Sequence, residues 1–264
     1  MDALHAVVRT RHLEQLDGHD TRHAQPVLAV AGLVTVDDAG LGPDTVAAAI
    51  GHSVGEITAA TFAGAIDRED AVALVAERGE LGHRVQSRRP GAMAAIMRLG
   101  VDQVEWLVRS VRHKCPGVLE LAVENSASQF VLSGDEHLVD VAVDLATELG
   151  GVARRLPIGG PFHSSLMIDA VPTLRATLER VVRRHPVMPV VLSTAGRAVT
   201  TAADLVEGLA RALVLPVRWP AAVQALRGLG LAEAYDAGPG DTLSRLERFA
   251  PEVTFLPLPS TGGA

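Results

Sequence analysis

The sequence is poor in the residues that define several common classes of protein. Its 264 residues include one cysteine, Cys115, which excludes an internal disulfide and a cysteine-rich metal site. This scarcity of cysteine favours the reducing environment of the cytoplasm. Aromatic residues make up only 3% of the chain, so alanine, valine and leucine must fill its core.

Long apolar runs are also missing. The longest, PVLAVAGLVTV, is far shorter than the roughly 20 residues that a membrane-spanning helix needs, and the charged N-terminus lacks the apolar core of a signal peptide. We therefore expect no membrane anchor. The net charge of −7 argues against a general nucleic-acid binder. His19 and His23 are four residues apart, but they flank Asp20 in a loop-like stretch, so we expect no bound metal.

The order of predicted strands and helices indicates an α/β protein with an insertion. Between residues 90 and 158 the pattern is βαββαβ, which is typical of a ferredoxin-like unit. Strands and helices alternate on both sides of it, which favours a parallel sheet covered by helices on both faces. We therefore predict a large core from residues 1–89 and 159–264, and a small subdomain from residues 90–158.

The stretch AIGHSVGEITAA places a serine between two glycines, after a short apolar strand and before a helix. Gly51 to Gly55 fit the pattern G-x-S-x-G, in which a tight strand-to-helix turn requires small residues on either side of the serine. Ser53 would then project into a cleft as a nucleophile. The backbone N–H of Val54, at the positive end of the helix, would face a developing oxyanion. The alternative is an ordinary glycine-rich turn.

A serine nucleophile needs a base, and two of the ten histidines stand out. His52 precedes the serine and points elsewhere, so it is a poor base and a candidate for lining the pocket or anchoring the sheet. His163 lies in the loop GGPFHSS, between a predicted strand and a helix, where catalytic groups tend to lie. His163 is therefore the best candidate for the base, with a helix-capping histidine as the alternative.

Several stretches, in this order along the chain, resemble one enzyme family. They are AQPVLAVAGL, GHSVGEITAATFAGAI, DAVALVAERGEL, GAMAAI, ENSASQFVLSG, GGPFHSSLM, LPVRW and DAGPGDTLSRL. Together they resemble malonyl-CoA:acyl carrier protein transacylases and the acyltransferase domains of polyketide synthases, over nearly all of residues 22–258. The resemblance implies a hydrolase-like α/β core that carries a ferredoxin-like insertion.

The resemblance also implies a reaction. Ser53 would take an acyl group from a coenzyme A thioester as an ester, and the phosphopantetheine thiol of an acyl carrier protein would then accept it, with no bound cofactor. His163 would move the protons, and Arg78 would bind the free carboxylate of a malonyl group. Without the resemblance, Arg78 is best interpreted as a surface residue paired with Glu77 or Glu80. The acyl pocket would be lined by His52, Gly82, Asn125 and Phe162, with the bulky Phe162 favouring malonyl over methylmalonyl.

The sequence departs from this family in three places. The family opens with a strand and a Gly-Gln-Gly loop that supplies a second oxyanion donor, and no such loop is found; MDALHAVVRT offers only a replacement strand. The family often has an amide residue whose backbone carbonyl orients the histidine; here that position is Ala212 or Val214, and the alignment favours Ala212. Gly82 stands where members often carry methionine, which would enlarge the acyl pocket.

Three hypotheses follow for the function. The first is an acyltransferase that loads malonyl from malonyl-CoA onto an acyl carrier protein for fatty-acid or polyketide synthesis. The second is an acyl hydrolase of the same fold, and the third is a catalytically impaired remnant that binds a carrier protein. An acidic carrier would need a local basic face, for which the candidates are Arg154, Arg155, Arg183 and Arg184.

Overall fold

The computed structural model describes residues 20–239, 243–249, 252–256 and 258. Its helices are α1 (Thr21–Asp38), α2 (Gly55–Phe62), α3 (Arg68–Arg88), α4 (Val101–Lys114), α5 (Glu136–Glu148), α6 (Val171–Val181), α7 (Ala202–Arg211) and α8 (Trp219–Gly228). Its strands are β1 (Ala49–Gly51), β2 (Gly91–Met97), β3 (Leu119–Ser126), β4 (Gln129–Asp135), β5 (Val152–Arg155), β6 (Val190–Leu192), β7 (Arg197–Val199), β8 (Val217–Arg218), β9 (Glu233–Tyr235) and β10 (Thr254–Leu256). Two 3₁₀ helices span Ser165–Ala170 and Ser244–Phe249.

The sheet that carries the glycine–serine turn is small and mixed in direction. Strand β1 pairs parallel with β6, with Ala49 opposite Val190, and β6 pairs antiparallel with β7. Strands β9 and β10 form a separate parallel pair. Helices alternate with these strands along the chain, so the α/β class expected from the sequence is confirmed.

A second sheet has the strand order β5-β2-β4-β3-β8. Its first four members come from the βαββαβ stretch and pair antiparallel with one another. Strand β8 comes from a later part of the chain and pairs parallel with β3, with Val217 opposite Val123. The stretch 90–158 is therefore hydrogen-bonded to the rest of the chain, and its bounds as a subdomain stay a prediction.

The two faces of this sheet pack into two different hydrophobic cores, because successive residues of a strand point to opposite sides of the sheet. Phe130 and Leu132 of β4 pack with α4 and α5 in a core that lies wholly within residues 92–146. Val131, between them, packs into the larger core with Met93 of β2. The sheet is therefore a wall between the two cores.

Some local predictions change in the structure. The segment QPVLAVAGLVTVDDAG predicts a helix with Pro26 in its first turn. Helix α1 begins earlier, at Thr21, because the Asp20 side chain accepts a hydrogen bond from the Arg22 N–H. The sequence also predicts Asp67 as the N-cap of α3, but its carboxylate pairs with Arg184 and caps nothing. The segment DTLSRLERFA predicts a last helix, and the structure has a 3₁₀ helix over Ser244–Phe249 there.

The strand suggested for MDALHAVVRT lies outside the described residues. Among the residues that the structure describes, no helix is long and apolar enough to cross a membrane.

Replacing Phe130 tests the smaller core. Phe130→Ala removes a ring with 0% exposure and should lower the free energy of unfolding by about 3–5 kcal/mol. Chemical denaturation measures this loss. Val141→Ala on the exposed side of α5 is the control and should stay within about 0.5 kcal/mol of wild type. Equal effects of the two changes would contradict the two-core arrangement.

Candidate active site

The turn between β1 and α2 is the strand–turn–helix that the G-x-S-x-G pattern predicts. Ser53 has a φ of 53°, in the left-handed region that side chains rarely adopt. A Cβ on Gly51 would lie 2.2 Å from the Glu56 backbone nitrogen, so only glycine fits there. A Cβ on Gly55 would meet open space. The expectation that both glycines are crowded is therefore correct for Gly51 and wrong for Gly55.

His163 lies beside this serine, although 110 residues separate them in the chain. Its Nε2 is 2.7 Å from Ser53 Oγ. Its Nδ1 is 2.9 Å from the Leu215 carbonyl oxygen, and its backbone N–H donates to the Leu213 carbonyl at 2.8 Å. Because a carbonyl only accepts, Nδ1 carries the proton and Nε2 is left free to accept one from the serine.

The carbonyl that orients His163 belongs to Leu215, and the assignment to Ala212 is wrong. Ala212 follows α7 directly and keeps a helical backbone, and the Leu215 N–H bonds back to the Arg211 carbonyl. Pro216 disfavours a helical conformation of Leu215, so the carbonyl of Leu215 is the one that turns toward the ring. The Ala212 carbonyl raises the pKa of His163 less than the Leu215 carbonyl does.

Arg78 of α3 is inside the site and not on the surface. It is 4% exposed and pairs with neither Glu77 nor Glu80. Its Nη1 donates to Gln25 Oε1 at 2.7 Å, and its Nη2 donates to Ser53 Oγ at 3.3 Å. Burial lowers the pKa of Arg78 to about 10, against the opposing effect of the Glu56 charge, so the guanidinium stays protonated at neutral pH.

Phe162 fills the space beside Gly82. The Arg78 guanidinium carbon lies 4.7 Å from the centre of the Phe162 ring, a cation–π contact. A Cβ on Gly82 would lie 2.3 Å from the tip of that ring. The expectation that Gly82 enlarges the acyl pocket is therefore wrong, because the aromatic ring occupies the space that the glycine leaves.

His52 and Asn125 join the serine turn to the second sheet. The Nε2 of His52 is 2.9 Å from Asn125 Oδ1 on β3, and the His52 ring packs 5.4 Å from the Trp219 ring. Burial lowers the pKa of His52, so it is neutral. Both residues line a cavity of about 1120 Å³ that also reaches Val54, whereas Ser53, Arg78 and His163 lie outside its lining. The cavity thus adjoins the serine without containing it.

The protonation states of the site follow from burial. Burial and the nearby charge of Arg78 lower the pKa of His163 to about 3, so its Nε2 is unprotonated at neutral pH. The Val54 N–H, at the start of α2, donates no hydrogen bond within the described residues and is free to meet an oxyanion. The same part of the chain holds no group of three His, Cys, Asp or Glu residues suited to a metal ion.

Sequence reasoning missed four residues of this site. Gln25 binds Arg78, Leu215 orients His163, and Glu56 with Ser193 lies behind the serine turn. The signal for Gln25 was its position before Pro26 in the segment AQPVLAVAGL. The signal for Glu56 was an acidic residue on an apolar helix, three positions after the serine. Ser193 and Leu215 carry no signal, because only the fold brings them to the site.

A serine hydroxyl bonded to a neutral histidine, beside a free backbone N–H, is the arrangement of an enzyme that forms an acyl-serine ester. The comparison with known families agrees with this class. Residues 3–238 match the model of the family described as acyl transferase domain. The chain belongs to this family of acyltransferases.

Individual relatives are similar over most of the chain. It is 33% identical to a malonyl CoA-acyl carrier protein transacylase of Bacillus subtilis (strain 168), over 86% of this chain and 71% of that protein. It is 32% identical to the protein of the same name from Escherichia coli (strain K12), over 86% of this chain and 74% of that protein.

Solved structures give the same result. The malonyl CoA-acyl carrier protein transacylase of Coxiella burnetii superposes with a TM-score of 0.88 at 28% identity, over 98% of this chain and 84% of that chain. A malonyl-transacylase in complex with its type II polyketide synthase acyl-carrier protein superposes with a TM-score of 0.85 at 26% identity, over 98% of this chain and 86% of that chain.

The buried Glu56 should make stability depend on pH. Burial raises its pKa from 4.5 to about 7, so its contribution to stability is full below pH 4.5 and is lost as the pH rises through 7. The free energy of unfolding of wild type, relative to Glu56→Gln, should fall by about 3 kcal/mol between pH 4 and pH 8. Urea denaturation across this range measures the difference. A constant difference would show that the Glu56 pKa is unchanged by folding.

The contact between Gly82 and Phe162 predicts a specific overpacking. Gly82→Ala should cost about 1–3 kcal/mol of stability, because the Phe162 ring must move. Adding Phe162→Leu should recover part of the loss in a urea titration. Gly228→Ala, whose Cβ meets open space, is the control and should cost nothing. The contact is refuted if Gly82→Ala behaves like the control.

Proposed function

We propose that this chain transfers a malonyl group from coenzyme A to the phosphopantetheine thiol of an acyl carrier protein, by way of an ester on Ser53. One observation carries the proposal: Ser53 Oγ lies 2.7 Å from His163 Nε2 and 3.3 Å from Nη2 of the buried Arg78. A nucleophile, a base and a cation for the acyl carboxylate thus meet at one oxygen atom.

The first half-reaction forms the acyl-enzyme. Ser53 Oγ attacks the thioester carbonyl carbon while His163 Nε2 takes the serine proton. The carbonyl oxygen becomes an oxyanion, which the Val54 N–H faces. When the C–S bond breaks, the proton on His163 Nε2 goes to the departing sulfur, and free coenzyme A leaves.

The second half-reaction runs the same steps in reverse with a different thiol. The phosphopantetheine thiol gives its proton to His163 Nε2 as its sulfur attacks the Ser53 ester. The C–O bond then breaks, and the serine oxygen recovers the proton from the histidine. The product is a malonyl thioester on the carrier, and the expected kinetics are ping-pong.

Arg78 supports malonyl as the acyl group. Its planar guanidinium matches a carboxylate with two parallel hydrogen bonds, and its neighbours Gln25 and Phe162 are uncharged. No carboxylate of the described part of the chain contacts this buried cation, which favours a substrate that brings one. Hydrolysis of simple acyl esters has no use for such a group, so Arg78 favours transfer of malonyl over the hydrolase alternative. The Phe162 ring, packed on Gly82, narrows the space beside the acyl α-carbon.

The partner and the setting belong to the same proposal. Relatives carry the name of acyl carrier protein transacylases, and one similar enzyme is seen with its carrier protein. Of the four arginines considered for a basic face, Arg155, Arg183 and Arg184 are in ion pairs, whereas Arg154 lines the cavity beside His52 and has no ion pair among the described residues. The proposed reaction uses only groups of the polypeptide and needs no bound cofactor. It takes place in the cytoplasm, which the scarcity of cysteine favours.

Trapping the acyl-enzyme tests this function. Wild type incubated with malonyl-CoA should gain the mass of one malonyl group, and peptide mapping should place it on Ser53. The Ser53→Ala control should gain none. Arg78→Gln should reduce the rate of malonyl labelling at least about tenfold, because a charged hydrogen-bond partner of the carboxylate is lost. An unlabelled wild type, or label on another residue, would refute the proposal.

A further inference from the structure

Glu56 is a buried carboxylate that none of these steps uses. It lies in the first turn of α2, three residues after Ser53, and is 0% exposed. Its Oε1 accepts hydrogen bonds from Ser193 Oγ at 2.8 Å, from the Thr194 N–H at 2.8 Å and from Thr194 Oγ1 at 3.0 Å. The carboxylate therefore fixes the segment that follows β6.

Ser193 connects this carboxylate to the nucleophile. Its Oγ accepts a hydrogen bond from the Ser53 N–H at 3.4 Å. A serine hydroxyl has a single proton, and Ser193 gives its proton to Glu56, so its lone pairs face the Ser53 amide. The direction of both hydrogen bonds is thereby set by the carboxylate.

Glu56 also holds the other side of the nucleophile. Its own backbone N–H donates to the Ser53 carbonyl oxygen at 2.9 Å. The two peptide groups that flank the Ser53 Cα are thus both bound through Glu56, one directly and one through Ser193. A left-handed backbone such as that of Ser53 persists only where its surroundings over-determine it.

We propose that Glu56 and Ser193 are positioning residues, which hold Ser53 in its left-handed conformation so that Oγ points at His163 Nε2. The role of this pair in acylation rests on the proposed function. The positioning role is independent of the acyl group, because it sets the rate at which the serine oxygen reacts with any acylating or phosphonylating reagent.

The test compares two neighbouring hydroxyls that bind the same carboxylate. Ser193→Ala removes the link to the Ser53 amide, whereas Thr194→Val removes a hydroxyl from Glu56 and leaves that link intact. Acylation by malonyl-CoA is followed in reactions quenched at set times. At saturating malonyl-CoA the acylation rate constant of Ser193→Ala should be about tenfold lower than that of wild type, and the half-saturation concentration should be unchanged. Thr194→Val should stay within about twofold of wild type. Equal losses in both variants would show a general loosening of the loop and overturn the proposal.

A fluorophosphonate provides a readout that does not depend on the acyl group. Ser53 Oγ displaces fluoride from phosphorus and forms a stable Oγ–P bond, and the same ratio between the two variants is expected. Slower phosphonylation of Ser193→Ala with no malonyl ester in wild type would refute malonyl transfer and leave the positioning role standing. Unchanged rates with both reagents would overturn the positioning role alone.

A conservative change at Glu56 covers the case in which Ser193→Ala does not fold. At pH 8, above the Glu56 pKa of about 7, Glu56→Gln keeps an oxygen acceptor for Ser193 but replaces a charged acceptor with a weaker neutral one. Its acylation and phosphonylation rate constants should fall about threefold, with the half-saturation concentration for malonyl-CoA unchanged. A Glu56→Gln protein that folds and reacts at the wild-type rate would overturn the proposal.

Discussion

The buried positive charge of Arg78 is the constraint on which the rest of the site depends. The guanidinium is almost wholly removed from solvent, and the groups that touch it, Gln25, Ser53 and the Phe162 ring, are all uncharged. Glu56 interacts with Arg78 only by electrostatic attraction at a distance, because the carboxylate oxygens of Glu56 bind Ser193 and Thr194. Burying a charge without a contacting counter-charge among the described residues is unfavourable, which supports the proposed role of Arg78 in binding the malonyl carboxylate. Burial, and after it the same charge, lowers the pKa of His163, so this histidine is unprotonated at neutral pH.

The site is joined to the second sheet, the wall between the two cores, by hydrogen bonds. His52 reaches Asn125 on the second sheet, and β8, which directly precedes Trp219, pairs with β3 of that sheet. Trp219 in turn packs on the ring of His52. The wall between the cores is therefore tied to the serine turn from two directions. This arrangement holds the serine turn at a fixed position relative to the second sheet.

The sequence predicted what depends on local pattern. The serine turn, the βαββαβ order and the histidine loop each have a signature within a few residues, and all three are present in the structure. The sequence was a poorer guide to features that depend on contacts between residues far apart in the chain. Gly82 was expected to leave space, and a ring from residue 162 fills it. The orienting carbonyl was assigned three residues too early, because a main-chain group has no identity that a sequence displays. Ser193 gave no signal because only the fold brings its hydroxyl to Glu56 and to the Ser53 amide.

The fixation of His163 has an evolutionary consequence. Both groups that hold the histidine, the carbonyls of Leu213 and Leu215, belong to the peptide backbone. The histidine itself places no demand on the side chains at these two positions, although Leu213 is also buried in the larger core. The orientation of the base therefore depends on the path of the backbone at residues 213–215 and not on the identity of particular side chains there. Divergent members of a lineage can in this way keep the same orientation of the histidine while differing in the side chains of the residues that orient it.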